Sequence, residues 1–108
     1  MRIYLVGYMG AGKTTTAKRL SSLLDIPYYD LDQLFEAQFK IEISSFFERY
    51  DESLFRKLES QLLKDTLQFD HAIISTGGGT PCFYDNMKWM NENGLTIYLQ
   101  MHVKSIVE

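Results

Sequence analysis

One octet near the start of the chain constrains its fold more than any other feature. Residues 7–14, Gly-Tyr-Met-Gly-Ala-Gly-Lys-Thr, fit the pattern G-x-x-x-x-G-K-[ST], which is typical of loops that wrap the phosphates of ATP or GTP. A β-rich apolar run at 3–6 precedes the octet, and a helical pattern from about Lys13 to Leu24 follows it. Because strand, glycine loop and helix occur in this order, we predict a phosphate-binding loop rather than a simple glycine turn.

The predicted loop would bind phosphate through its backbone and two side chains. Glycines let the chain turn tightly and approach the phosphates, so that several N–H groups point at the anion, and the following helix adds the positive end of its dipole. Lys13 is expected to reach the β- and γ-phosphates, and the Thr14 hydroxyl to bind Mg²⁺. The predicted ATP site comprises Gly10, Ala11, Gly12, Lys13, Thr14 and Thr15.

Three further short apolar runs, at 26–29, 72–75 and 96–99, have the composition of strands. The first of them is joined to the strand at 3–6 by one helix, and such a βαβ unit makes a right-handed crossover between parallel strands. Helical patterns cover most of 32–69 and then 83–93, where Gly94 is expected to act as a C-cap. These features predict one α/β domain with a parallel sheet.

Two aspartates, Asp30 and Asp32, follow the second predicted strand. Ligands of open parallel sheets bind beyond the carboxyl ends of the strands, so the pair could serve Mg²⁺ binding or proton transfer. Capping is an equally good interpretation, with Asp30 ending the strand and Asp32 capping a helix that begins at Gln33. The third strand ends in Ser75 and Thr76, where many P-loop proteins have a magnesium-binding aspartate. Asp30 is the best substitute for it.

A run of three glycines, Gly77, Gly78 and Gly79, follows the third predicted strand. Such a run lets the backbone approach a ligand and present N–H groups to it, although a flexible turn is the alternative. Arg56 lies one turn before Glu59 on the longest predicted helix. Because arginines are common on helix surfaces, the helical pattern alone favours a solvated Arg56.

Composition excludes several classes of protein. The formal net charge is −3 and no long basic run occurs, which argues against a nucleic-acid or membrane-surface binder. No apolar stretch is long enough to span a membrane. The single cysteine, Cys82, cannot form an intrachain disulfide, as is usual for a reducing cytoplasm. We therefore expect a cytoplasmic protein with small-molecule partners.

Taken together, four motifs make the chain resemble the shikimate kinases, small P-loop kinases of the nucleoside-monophosphate-kinase type. The motifs are the octet, Asp30-Leu31-Asp32, Phe55-Arg56-x-x-Glu59 and the glycines at 77–79, and the resemblance covers essentially all 108 residues. It implies a three-layer αβα P-loop NTPase fold, with a fifth strand beyond residue 108 and a substrate-binding helical segment at about 32–62. It also implies a monomer that uses ATP and Mg²⁺ to convert shikimate to shikimate 3-phosphate.

The resemblance implies a role for each matched residue. Lys13 corresponds to the phosphate-binding and catalytic lysine, Thr14 to the direct magnesium ligand, and Asp30 to the acid that assists Mg²⁺ through water. Asp32 corresponds to the acid that binds the substrate hydroxyls and is the proposed base. Arg56 corresponds to the arginine that holds the shikimate carboxylate, as suits its bidentate geometry. The glycines at 77–79 correspond to a substrate-facing loop, with Phe55 and Glu59 beside the pocket.

The chain departs from the family pattern in sequence and in length. Lys40, Glu42 and Asp51 stand where the family often has glycine, serine and a Gly-Glu pair. The family's lid with its ATP-contacting arginine, a second substrate-binding arginine, the fifth strand and the closing helix would all follow residue 108. We therefore expect residues 1–108 alone to be nearly inactive.

Two other hypotheses remain open at this point. The same fold could phosphorylate another acceptor, such as gluconate or a nucleotide, although a nucleotide acceptor would predict more arginines than Arg56 around its pocket. Alternatively, the chain could be a truncated, catalytically silent module that binds a nucleotide or takes part in an assembly.

Overall fold

The computed structural model of the protein describes residues 1–7 and 12–99. These residues form four strands and five α-helices, three of which follow one another between the second and third strands. The elements are β1 (Arg2–Gly7), α1 (Lys13–Leu24), β2 (Tyr28–Asp30), α2 (Leu31–Phe39), α3 (Ile43–Arg49), α4 (Glu52–Asp65), β3 (Ala72–Ser75), α5 (Asn86–Asn93) and β4 (Leu95–Leu99). Two short 3₁₀ turns, Thr66–Gln68 and Thr80–Cys82, precede β3 and α5.

The four strands form one parallel sheet in the order β2-β3-β1-β4. Ser75 at the end of β3 pairs with Leu5 of β1 and with Asp30 of β2, and Gly7 of β1 pairs with Leu99 of β4. All four carboxyl ends therefore lie at the same edge of the sheet. The predicted parallel α/β fold is confirmed, whereas the fifth strand stays a prediction because it falls after residue 108.

The strand residues divide between two apolar cores, one on each face of the sheet. In β1, Ile3 and Leu5 pack with Ala17 of α1, whereas Tyr4 and Val6 face the opposite side, as expected for the two-residue period of a strand. The second core is the larger one, because α2, α3, α4 and α5 all contribute to it. Its aromatic centre is Phe35, which contacts the following residues: Phe39, Phe46 and Phe55.

Several element boundaries differ from the predictions by one to four residues, and β2 and α5 are two examples. The second strand begins at Tyr28 rather than at residue 26. The helix predicted at 83–93 begins at Asn86, after the 3₁₀ turn that contains Pro81. By contrast, α1 and β3 have the predicted bounds.

Gly94 ends α5, but not as the left-handed C-cap that the sequence suggested. Its φ of −175° is extended backbone that any residue can adopt. A methyl group at this position would instead lie 2.6 Å from the Arg2 carbonyl oxygen and 2.8 Å from the Tyr4 ring. Glycine is needed here because α5 turns into β4 directly against β1.

The three departures from the family pattern all lie at helix ends. Lys40 follows α2 with a left-handed φ of 54°, a conformation that glycine adopts without strain. Glu42 is the N-cap of α3 and makes no capping bond with its own side chain, but Oε2 of Glu36 accepts a hydrogen bond from the Ile43 N–H at 2.9 Å. Asp51 caps α4 by accepting from the Leu54 N–H at 2.9 Å. The helices α2, α3 and α4 therefore form although these three residues differ from those that the family often has there.

None of the helices in residues 1–7 and 12–99 has the length and apolar character that crossing a membrane requires.

We predict that Lys40→Gly stabilises the protein by about 1 kcal/mol, since it removes the cost of a left-handed conformation at a residue with a Cβ. Urea unfolding monitored by circular dichroism measures the change. The matched control is Lys57→Gly in the exposed middle of α4, which should destabilise by about 1 kcal/mol. A loss of stability in both variants would contradict the prediction.

Candidate active site

The carboxyl edge of the sheet opens into a cleft of about 400 Å³. It brings together residues at the ends of β2 and β3 and residues that follow β1, β2 and β3. They are Gly12, Lys13, Thr14, Thr15, Asp30, Asp32, Ser75, Thr76, Gly77 and Gly78. Most of the residues predicted from the sequence to bind nucleotide, metal or acceptor thus line this one cleft. Two other predicted residues, Gly10 and Ala11, lie outside the described residues.

The β1 side of the cleft has the features of a phosphate-binding loop. Gly12 precedes α1 with a φ of 82°, and that left-handed conformation favours glycine. Lys13 opens the helix, and its Nζ donates a hydrogen bond to the Gly7 carbonyl oxygen at 2.6 Å. Burial lowers the pKa of Lys13, and the charges of Asp32 and Asp30 partly oppose this. The Lys13 side chain therefore reaches back to the end of β1, and the charges of the two carboxylates influence its pKa.

The β2 side contributes two carboxylates with different tasks. Oδ1 of Asp30 accepts hydrogen bonds from the N–H groups of Asp32 at 2.8 Å and Gln33 at 3.2 Å. Asp30 is therefore the residue that caps α2, and the alternative that assigned the cap to Asp32 is wrong. This leaves the Asp32 side chain free for the cleft.

Asp32 has a perturbed carboxyl group. Burial raises its pKa, and the negative charges of Asp30 and Glu59 raise it further, whereas Lys13 lowers it. A carboxylate whose proton affinity is raised in a cleft is a candidate general base, because the best catalytic pKa lies nearer the working pH.

The oxygen donors in the cleft fit a magnesium ion whose remaining ligands are phosphates and water. The Thr14 hydroxyl and the oxygens of Asp30 and Asp32 are the hard donors that Mg²⁺ prefers. No group of three or more histidine, cysteine, aspartate or glutamate side chains suited to a metal occurs among residues 1–7 and 12–99. This suits Mg²⁺, which commonly binds one or two protein groups together with phosphates and water.

Arg56 is not the solvated side chain that the helical pattern alone favoured. Only 17% of it is exposed, and it donates to Glu59 Oε1 at 3.1 Å through Nη1 and to Glu52 Oε1 at 3.3 Å through Nε. Its guanidinium carbon lies 4.3 Å from the centre of the Phe83 ring. These contacts hold the guanidinium group in a defined place, as a binding residue requires.

The glycine run at 77–79 connects Arg56 to the cleft. A methyl group on Gly79 would lie 2.6 Å from Nη2 of Arg56, and one on Gly77 would lie 3.5 Å from Oδ1 of Asp32. Arg56 itself lines a neighbouring hollow of about 340 Å³ with Phe83 and other residues. The predicted acceptor residues are thus adjacent, but Arg56 and Gly79 lie beside the main cleft rather than inside it.

The sequence-based prediction missed two residues around this glycine run. Thr76 is buried, and both its N–H and its hydroxyl donate to the Leu5 carbonyl oxygen at 3.0 Å, which fixes the start of the run to β1. Thr80 is also buried and donates to Glu59. Their position on either side of the glycines is the only signal in the sequence that could have indicated them.

The parallel sheet and the octet at residues 7–14 define a protein of the P-loop fold class, and comparison with known proteins identifies its family. The family model of shikimate kinase matches residues 9–108. A shikimate kinase of Parabacteroides distasonis is 43% identical over 107 residues, which cover 99% of this chain and 62% of that protein. The chain belongs to the shikimate kinase family.

Solved structures show the same relationship. The crystal structure of shikimate kinase from Bacteroides thetaiotaomicron is 46% identical with a TM-score of 0.89, and covers 93% of this chain and 59% of that one. The enzyme from Aquifex aeolicus is 37% identical with a TM-score of 0.90, and covers 100% of this chain and 64% of that one. This chain therefore spans only about three fifths of the length of the relatives it matches.

We predict that Asp32→Asn stabilises the fold at neutral pH. Because the folded-state pKa is raised, ionised Asp32 opposes folding, and this effect disappears as the pH falls through the ordinary carboxyl range near about 4. The stability gain of the variant should therefore be largest at about pH 7 and vanish below about pH 4. Urea unfolding across this range measures it.

Glu48→Gln on the exposed face of α3 is the control for removing one negative charge. A stability gain that is equal in both variants, or one that does not change with pH, would contradict the assignment of Asp32 as the perturbed group.

Proposed function

We propose that the protein containing this chain transfers the γ-phosphoryl group of ATP to shikimate and forms shikimate 3-phosphate. The single observation that carries this proposal is the placement of Asp32 opposite Lys13 in one cleft, with Arg56 beside it. Membership of the shikimate kinase family supports the same reaction. A solved shikimate kinase from Acinetobacter baumannii in complex with shikimate, 34% identical to this chain, supports the acceptor.

In this mechanism the phosphate loop holds the donor. The N–H groups of the loop and the ammonium group of Lys13 bind the phosphates and stabilise the charge that develops on the γ-phosphoryl group. Mg²⁺, held by Thr14 directly and by Asp30 through water, would add positive charge at the same phosphates. Positioning and electrostatics therefore provide most of the rate acceleration.

Asp32 acts on the acceptor. Its carboxylate accepts a hydrogen bond from the attacking hydroxyl and takes the proton as the oxygen forms its bond to phosphorus, while the bond to the ADP oxygen breaks. Raising the pKa of Asp32 by burial and by the charges of Asp30 and Glu59 strengthens it as a proton acceptor. Lys13 opposes that shift, because its positive charge favours the ionised carboxylate.

Arg56 binds the acceptor carboxylate. Glu59 and Glu52 already accept hydrogen bonds from Nη1 and Nε, and Nη2 faces the backbone of Gly79, where no side chain intervenes. A guanidinium group recognises a carboxylate through paired N–H donors. The acceptor would therefore have its carboxylate at Arg56 and its reactive hydroxyl at Asp32.

We also propose that the protein is a cytoplasmic monomer. The described part of this single chain provides groups for the donor, the metal and the acceptor, so one copy supplies all three kinds of contact. The single cysteine is the compositional support for a reducing compartment.

We expect shikimate-dependent ADP release from Mg·ATP when the gene is expressed to its natural stop codon. Asp32→Ala should lower kcat by about 10²–10⁴-fold, since it removes the proton acceptor. Arg56→Lys should raise the KM for shikimate by about tenfold or more, with little change in the KM for ATP, because lysine cannot replace the planar fork. A coupled ADP assay measures all three.

Glu48→Ala is the control variant, and gluconate and a nucleoside monophosphate are the control acceptors. The proposal fails if shikimate does not stimulate ADP release, if another acceptor is preferred, or if Asp32→Ala retains full activity.

A polypeptide restricted to residues 1–108 should be nearly inactive in the same assay. The resemblance implies a lid arginine after this segment, and a cationic group of that kind accounts for about three to five decades of rate when it acts as an arginine finger. Comparable kcat values for residues 1–108 and for a longer form that includes the lid would contradict this prediction.

A further inference from the structure

A buried carboxylate, Glu59, lies directly behind Arg56. Its side chain is only 2% exposed, so its negative charge must be compensated by neighbours. Oε1 accepts a hydrogen bond from Arg56 Nη1 at 3.1 Å, and Oε2 accepts one from the Thr80 hydroxyl at 2.9 Å. Each oxygen thus has a different donor, and the two donors together define the rotation of the carboxylate.

Thr80 is held more firmly than a loop residue usually is. It is fully buried, and its N–H donates to the Gly77 carbonyl oxygen at 3.2 Å. Its own carbonyl oxygen accepts from Asn86 Nδ2 at 2.9 Å, and Asn86 Oδ1 accepts from the Ser60 hydroxyl at 2.7 Å. Since α4 and α5 both anchor this 3₁₀ turn, the Thr80 hydroxyl has a fixed direction.

The hydroxyl also lies beside the catalytic side of the site. A methyl group placed on Gly77 would be 3.3 Å from Thr80 Oγ1, 3.5 Å from Asp32 Oδ1 and 3.6 Å from Glu59 Oε2. Three polar groups from α2, α4 and the 3₁₀ turn therefore converge around one glycine. A rotation of the Glu59 carboxylate would therefore change its hydrogen bond to Arg56 and the surroundings of Asp32.

We propose that Thr80 is a positioning residue for acceptor binding: its hydroxyl fixes the Glu59 carboxylate, which in turn holds the Arg56 guanidinium group for the acceptor carboxylate. This inference rests on the proposed function. Without the hydroxyl, Glu59 Oε2 would be buried without this donor, and a carboxylate in that state rotates or recruits another donor. Arg56 is the nearest source of further N–H groups, so its geometry would change with that of Glu59.

The test compares Thr80→Val, which removes the hydroxyl at nearly constant size, with Thr80→Ser, which retains it. In the protein expressed to its natural stop codon, Thr80→Val should raise the KM for shikimate by about tenfold, equivalent to about 1.4 kcal/mol. The KM for ATP and kcat should stay within about twofold. Thr80→Ser should restore the KM for shikimate.

Thr66→Val is the matched control. Thr66 is equally buried, and its hydroxyl is bonded to the Tyr4 hydroxyl and to the Leu63 carbonyl oxygen, remote from the glycine run. It should lower stability in urea without raising the KM for shikimate. An unchanged KM in Thr80→Val, an equal rise in Thr66→Val, or no rescue by serine would each overturn the proposal.

A second readout does not depend on the identity of the acceptor. Nitrogen-15 relaxation of the Arg56 Nε–H group, measured by NMR without substrate, should show greater mobility in Thr80→Val than in the unmodified protein or in Thr80→Ser. If the unmodified protein shows no shikimate-dependent ADP release, the proposed function fails, and this measurement decides the role of Thr80. Unchanged mobility in Thr80→Val would overturn that role.

Discussion

The parallel register of the sheet is the constraint on which the rest of the structure depends. Because β1 lies between β3 and β4, and β3 lies next to β2, the carboxyl ends of these parallel strands lie at one edge of the sheet. The start of α1, the two aspartates and the glycine run are distant in sequence but become neighbours there. The two bonds from Thr76 to the Leu5 carbonyl oxygen make this juxtaposition rigid at the base of the glycine run.

Several charged side chains lie close together at that edge of the sheet, and the distances between them determine the pKa of Asp32 and the position of Arg56. Asp32 lies close enough to Asp30 and Glu59 for its pKa to rise, and close enough to Lys13 for part of that rise to be cancelled. The buried carboxylate of Glu59, in turn, accepts hydrogen bonds from the Arg56 guanidinium group and from the Thr80 hydroxyl. The site therefore combines a carboxylate suited to accept a proton with an arginine whose position is fixed by hydrogen bonds.

Local patterns predicted the parts of the molecule that local physics determines. The loop octet with its flanking strand and helix, the bounds of α1 and β3, and the aspartates after β2 could all be read from spacing. The burial of Arg56 could not, because it depends on Phe83 and on a carboxylate held by Thr80. The reason for Gly94 was likewise hidden, since its neighbours Arg2 and Tyr4 belong to a strand at the other end of the chain. Tertiary packing alone brings these groups together.

The division of the apolar interior into two cores has a consequence for how each side of the site can change. The core beneath α1 supports the helix that carries Lys13 and Thr14, whereas the opposite core supports α4 and Arg56. A substitution in the aromatic cluster around Phe35 therefore changes the packing beneath the acceptor side and leaves the other core intact. Under the proposed function, changes on one face of the sheet would therefore alter the choice of acceptor, while the residues that bind the phosphoryl donor stay as they are.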